Sequence, residues 1–114
     1  MIDITHEENP VPVSTFQVPV AGFNLELDRF GPHQPHEDTK LEDNLIHAAW
    51  FGGGLRVIDI TDPYQPTEKG FYIPPVPRGQ SMIQTNDVYV DDRNVIYIID
   101  RYNRGLDMLK LDST

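Results

Sequence analysis

Val57-Ile58-Asp59-Ile60-Thr61, followed by Gln65-Pro66 and then Phe71-Tyr72-Ile73-Pro74-Pro75, is the stretch on which the fold turns. The same pattern opens the chain as Met1-Ile2-Asp3-Ile4-Thr5, Asn9-Pro10 and Thr15-Phe16-Gln17-Val18-Pro19, displaced by 56 residues at every landmark without a gap. Neighbouring stretches recur as well. Asn44-Leu45-Ile46-His47-Ala48 matches Asn94-Val95-Ile96-Tyr97-Ile98 at a step of 50, and Gly54-Leu55-Arg56-Val57-Ile58 matches Gly105-Leu106-Asp107-Met108-Leu109 at a step of 51. Self-similarity at this period, carried by short strands, is the pattern of propeller blades rather than of a sandwich.

Periodicity and punctuation agree. The best helix candidate, Thr39 to Ala49, crowds its apolar Leu41, Leu45 and Ile46 toward one end and runs on toward Gly52-Gly53-Gly54, which suits a strand and a turn better. Strands are predicted at Leu45–Phe51, Leu55–Ile60, Gly70–Ile73, Asp87–Val90, Val95–Ile99 and Leu106–Leu111, each rich in β-branched or aromatic residues and closed by turn residues. Runs such as Val95 to Ile99 are apolar at every position, as in sheets covered on both faces. Asp59 is placed to accept nearby backbone N–H groups. Asp62-Pro63 and Asp91-Asp92-Arg93-Asn94 read as turns, Asp100-Arg101 as a local ion pair, and Trp50, Phe51, Tyr72, Tyr97 and Tyr102 as core. His6, in the turn position equivalent to Asp62, reads as structural or solvated.

The expected fold is therefore all-β: about two antiparallel β-propeller blades, incomplete at both ends. Residues 1–20 would supply the outer strands of a partial blade, 21–83 a complete blade with its connecting loop, and 84–114 a partial closing blade. Closed propellers have roughly four to eight blades, and an isolated pair leaves apolar faces and unpaired edges exposed. Two kinds of partner follow: further blades in cis, within a longer parent, which is the favoured expectation, or self-association of several copies into a ring.

Gly53-Gly-Leu-Arg-Val-Ile-Asp-Ile-Thr-Asp-Pro63 resembles the repeat of the LVIVD-repeat family of bacterial β-propellers, in which a G-L-R-V-I-D-I-S-D-P-x-x-P stretch precedes an aromatic strand. Asn86-Asp-Val-Tyr-Val-Asp-Asp92, Val95-Ile-Tyr-Ile-Ile-Asp-Arg101 and Gly105-Leu106 resemble the closing repeat of such proteins. The resemblance spans nearly the whole chain and implies a propeller whose relatives are commonly exported. Its motif specifies strand and turn, not a reaction. More distantly the family is similar to the selenium-binding and methanethiol-oxidase propellers, which hold a metal with histidines. This chain lacks the cysteine that some of those proteins use.

Composition narrows the function classes. With 18 acidic against 9 basic residues and a net charge of -9, the chain is a poor match for nucleic-acid phosphates or anionic lipid. The absence of cysteine excludes thiolate zinc sites and a Cys nucleophile. No apolar run reaches the roughly 18 residues of a spanning helix, so membrane insertion is not expected. The N-terminal stretch does not resemble a signal peptide, and compartment stays unassigned. Ser14, Ser81 and Ser113 lie outside any nucleophile-elbow context.

One segment breaks the repeat's apolar pattern: Gly31-Pro-His33-Gln-Pro-His36-Glu-Asp38. On an ideal strand His33 and His36 face opposite ways, and they could share a ligand only where the backbone is irregular, as Pro32 and Pro35 suggest. With His47 on the neighbouring strand and Glu37 or Asp38 nearby, the set would suit Zn, Cu or Fe. The weightier expectation is that His33 and His36 bond backbone carbonyls and that His47 is a core histidine. Gln84-Thr85-Asn86-Asp87 holds the comparable entrance of the next blade. Asn86 and Asp87 are candidates for a small-ligand mouth, against the simpler role of capping strand ends. The leading functional expectation is a non-catalytic binding or assembly module; the alternative is a metal-binding or metal-dependent propeller enzyme.

Overall fold

The structure, a computed structural model, describes residues 1–23, 29–37, 42–102 and 104–112. All of its regular structure is antiparallel strand: β1 (Ile2–Asp3), β2 (Val11–Pro12), β3 (Phe30–Pro35), β4 (Leu45–Phe51), β5 (Leu55–Asp59), β6 (Thr67–Tyr72), β7 (Thr85–Val90), β8 (Val95–Asp100) and β9 (Leu106–Lys110). β3 to β6 pair in chain order as one four-stranded meander, and β7 to β9 form the next. A single bridge, Phe51 opposite Thr85, joins the two at one end and curls them into one sheet. The fold is all-β and its meanders are blades of propeller type. No helix among the described residues is long and apolar enough to cross a membrane.

The sequence repeat is a repeat of hydrogen-bond register. In the first hairpin Ile2 lies opposite Pro12 and Asp3 opposite Val11; 56 residues on, Ile58 lies opposite Glu68 and Asp59 opposite Thr67. The turns repeat too. Asp3 Oδ1 accepts the Thr5 N–H at 2.9 Å as Asp59 Oδ1 accepts that of Thr61 at 2.8 Å. In the blades, His47 pairs with Val57 and Ala49 with Leu55, while Tyr97 pairs with Met108 and Ile99 with Leu106. Asn44 and Asn94 open β4 and β8 with the same left-handed φ, 57° and 61°, a conformation asparagine tolerates better than most residues.

Two apolar clusters lie on opposite faces of β4 and β5. On one face Ala48, Trp50 and Ile58, with Ile46 and Ile60, pack under Val18 and Phe16, and Phe16 meets Trp50 edge-on at 6.0 Å. On the other, Leu55 and Val57 pack against Val88, Val90, Ile96 and Ile98 of the second blade, with Tyr72 standing to that blade as Phe16 stands to the first. Coverage of both faces explains why β4 and β5 lack hydrophobic alternation. β8 and β9 do alternate, buried toward the first blade and open on the far side.

Three expectations need correction, and one holds. β6 begins at Thr67, three residues ahead of the apolar Gly70–Ile73 run, because an outer strand needs ladder partners but not a buried face. The Gly31–Pro35 segment is irregular as its prolines suggest: it is strand, laddered only to β4, with its register shifting between Phe30 and Gln34 and Gly31 at φ 136°. Asp100 does not pair with Arg101. Its carboxylate accepts the Gln84 and Tyr102 N–H groups at 2.8 and 2.7 Å, while Arg101 turns to Asn86. Tyr102 lies in the β8–β9 turn and is exposed, not core.

Gly54 and Gly105 occupy equivalent turns, both with positive φ (73° and 91°). A Cβ at Gly54 would run into the Tyr72 carbonyl on β6, whereas one at Gly105 meets nothing. Gly105→Ala is therefore expected to cost about 1 kcal/mol from the left-handed backbone. Gly54→Ala should cost about 3 kcal/mol, because the outer strand must also shift. Urea denaturation of the two variants checks the difference; equal costs would mean that β6 does not lie over the turn.

Candidate functional site

The polar residues singled out in the sequence meet at one seam, where β3 runs beside β7. The two strands have no ladder of their own, and side chains join them. His33 Nδ1 donates to the Asn86 carbonyl at 2.6 Å, and His36 Nδ1 accepts the Val90 N–H at 3.1 Å. Both rings thus reach the same strand, although three residues on a regular strand would send them apart. The irregular backbone around Gly31 reconciles the two. The hydrogen bonds also assign opposite tautomers, His33 carrying its proton on Nδ1 and His36 on Nε2.

His47 is the partner of this seam on the next strand in: its carbonyl accepts the His36 N–H at 2.8 Å. Its side chain is buried within the apolar run of β4. Its pKa lies below the usual histidine value, chiefly through burial, with nearby Asp43 opposing the shift and His36 adding to it. His36 Nε2 and His47 Nδ1 are both buried without a hydrogen-bond partner. Beside His36 a hollow of about 280 Å³ is lined by His36, Glu37, Asp87, Val88 and Tyr89, whereas His47 lines a separate one of about 400 Å³ with Asp43, Arg93 and Lys110.

At the other end of the seam Phe51 is the hub, a bulky residue held at φ 49°, which costs on the order of 1–3 kcal/mol unless its surroundings enforce it. The enforcement is visible. Phe51 bridges the blades, its ring stacks on His33 at 4.5 Å, and the guanidinium groups of Arg29 and Arg101 sit 5.4 and 5.3 Å from its centroid. Arg101 also donates from Nε to Asn86 Oδ1 at 2.9 Å. Asn86 is thereby engaged through both its carbonyl and its side chain, as a clip between β3 and the β8 end. Asp87 is exposed at the hollow, with Oδ1 accepting the N–H of Val88. The involvement of Phe51, Arg29 and Arg101 was not legible in the sequence, since nothing in their spacing connects them.

The structure brings His36 and His47 together, places His33 at the Phe51 end, and sets Asn86 and Asp87 between. Among the described residues, no three or more His, Asp or Glu side chains are grouped where they could hold one metal ion; Asp38, the remaining acidic candidate, lies outside those residues. Chemically the seam offers imidazoles, the two exposed carboxylates of Glu37 and Asp87, and two cations over a ring: binding and positioning groups. No family model, no curated protein and no solved structure matches the chain.

A depressed histidine pKa ties stability to pH with a definite sign. Above about pH 6.5 His47 is neutral in both folded and unfolded chains. As the pH falls below that value the unfolded chain takes up a proton that the fold refuses, so stability declines by up to about 1.4 kcal/mol per pH unit until the folded pKa is passed. Denaturation at pH 7.5 and 5.5 should show this loss, and His47→Leu should flatten it. A slope unchanged in that variant would show that other groups carry the dependence.

Proposed function

We propose that the chain is a binding or assembly module of propeller type, in the manner of the LVIVD-repeat proteins it resembles, whose blades work by packing against further blades. The observation carrying this reading is the division of its surface. The first blade is closed on one face by Phe16 and Val18 and on the other by the second blade, and the polar seam is consumed largely by ties between strands. Apolar residues of the second blade's far face, among them Ile99, Leu106 and Met108, remain exposed, and apolar patches of this kind mark interaction surfaces.

The second reading is a transition-metal site (Zn, Cu or Fe) at the seam, as in a metal-binding or metal-dependent propeller. The unpartnered ring nitrogens of His36 and His47 favour it, with His33 nearby on β3. The two readings separate in one preparation made without an affinity tag. The assembly reading expects light scattering to give a mass that rises with chain concentration and is indifferent to chelator. The metal reading expects stoichiometric bound metal, lost in His36→Ala/His47→Ala. A chain that stays monomeric while holding such a metal would replace the first reading by the second.

A further inference from the structure

Within the chain, one blade shows what covers a blade's far face. His47, Ala49, Leu55 and Val57 line the far side of the first blade and are 4, 0, 2 and 1% exposed, because Val88, Val90, Ile96 and Ile98 close over them with Leu109 and Leu111. Their counterparts on the second blade, by identical pairing register, are Tyr97, Ile99, Leu106 and Met108. There Ile99, Leu106 and Met108 are 48, 59 and 63% exposed. With Tyr89, opposite Tyr97 in the ladder, they form one apolar row across β7, β8 and β9 (Tyr89, Tyr97, Met108) and a shorter one across β8 and β9 (Ile99, Leu106) that ends at Asp87 on β7. The same residue positions are core in one blade and surface in the next.

The complementary half is also present. Ile58 and Ile60 face the preceding blade, packing under Phe16 and Val18, and Leu109 and Leu111 do the same one blade later. In the first hairpin the register puts Ile2 and Ile4 at those positions, and they are exposed. The chain thus carries an uncovered leading face and an uncovered trailing face, related as the two halves of its own internal interface.

We propose that the trailing face of the second blade docks the leading face of a second copy of this chain, Ile2 and Ile4 of one copy seating on Leu106 and Met108 of the other. This rests on the assembly reading above and names its partner and surfaces. The contact joins two different patches, so it is heterologous and adds copies head to tail, ending only if the ring closes.

The test uses the full chain and two variants, trailing-blocked Leu106→Glu/Met108→Glu and leading-blocked Ile2→Glu/Ile4→Glu, with Val20→Glu/Val76→Glu as a control of equal added charge. All four substituted positions in the blocked variants are exposed, and circular dichroism with urea midpoints verifies folding. In sedimentation velocity up to about 1 mM chain, the wild type and the control should associate beyond the dimer, and each blocked variant alone should be monomeric. Their equimolar mixture should stop at a one-to-one dimer, since each supplies the face the other lacks. Association that persists in the leading-blocked variant alone, as in a tail-to-tail dimer, overturns this proposal and leaves the assembly reading standing. A wild type that stays monomeric overturns both for this chain.

Discussion

The burial of β4 and β5 on both faces is the constraint from which the rest of the structure follows. A strand pair apolar on both sides needs two covers, and here each comes from a different stretch of chain: Phe16 and Val18 on one side, the second blade on the other. Each Val, Leu or Ile so covered contributes on the order of 1.5–3 kcal/mol, and the second blade is itself a sheet with a second face. The demand for a neighbour therefore passes outward from blade to blade. A radial stack can satisfy that demand only by closing on itself or by finding a partner, which is why such folds repeat.

Polar groups do a second job in this stack: they fix register where backbone pairing is missing. β3 contains two prolines and can be no more than an edge strand, so the tie from β3 to β7 falls to His33 and His36. At the hairpin between β7 and β8, Asp91 bonds the Arg93 and Val95 N–H groups, the Arg93 guanidinium and the Tyr97 hydroxyl; these bonds outweigh the desolvation of the carboxylate and hold its pKa well below the usual range. Arg56, buried between the blade and its outer strand, reaches Glu68 at 2.8 Å and lies 4.7 Å from the Phe71 centroid. It ties β5 to β6 while the apolar contacts lie on either side.

The legible part of this structure was whatever repeats. Asp59 stands in the sequence as an acceptor for turn N–H groups and Asp62-Pro63 as a turn, and the bonds of Asp59 to Thr61 and of Asp62 to Tyr64 are present. β4 falls on the predicted Leu45–Phe51, because unbroken apolarity ending in glycines leaves little choice. What was hidden is non-local. Pro32 and Pro35 signal the backbone irregularity around β3, but that it turns His33 and His36 to the same neighbouring strand depends on where β7 lies. That Phe51 gathers Arg29, His33 and Arg101 depends on blades meeting at one bridge. Tyr102 shares its residue type with core positions but lies in a turn that is one residue longer than its counterpart, so aromaticity alone misplaced it.

The covered and uncovered faces differ in shape as well as in exposure. Where the first blade has Ala49, His47 and Val57, the second has Ile99, Tyr97 and Met108, and every exchange adds bulk. A neighbour shaped like the second blade's own inner face, with Val88, Val90, Ile96 and Ile98, would be held off by that bulk, since overpacking costs as surely as a cavity. A thinner element is better matched to it, and a two-stranded hairpin bearing two isoleucines is thinner than a full blade. Bulk on one seat and slenderness on the other would make the chain's internal interface and its external one non-interchangeable, which is how a repeat with nearly uniform chemistry can still specify the order of its parts.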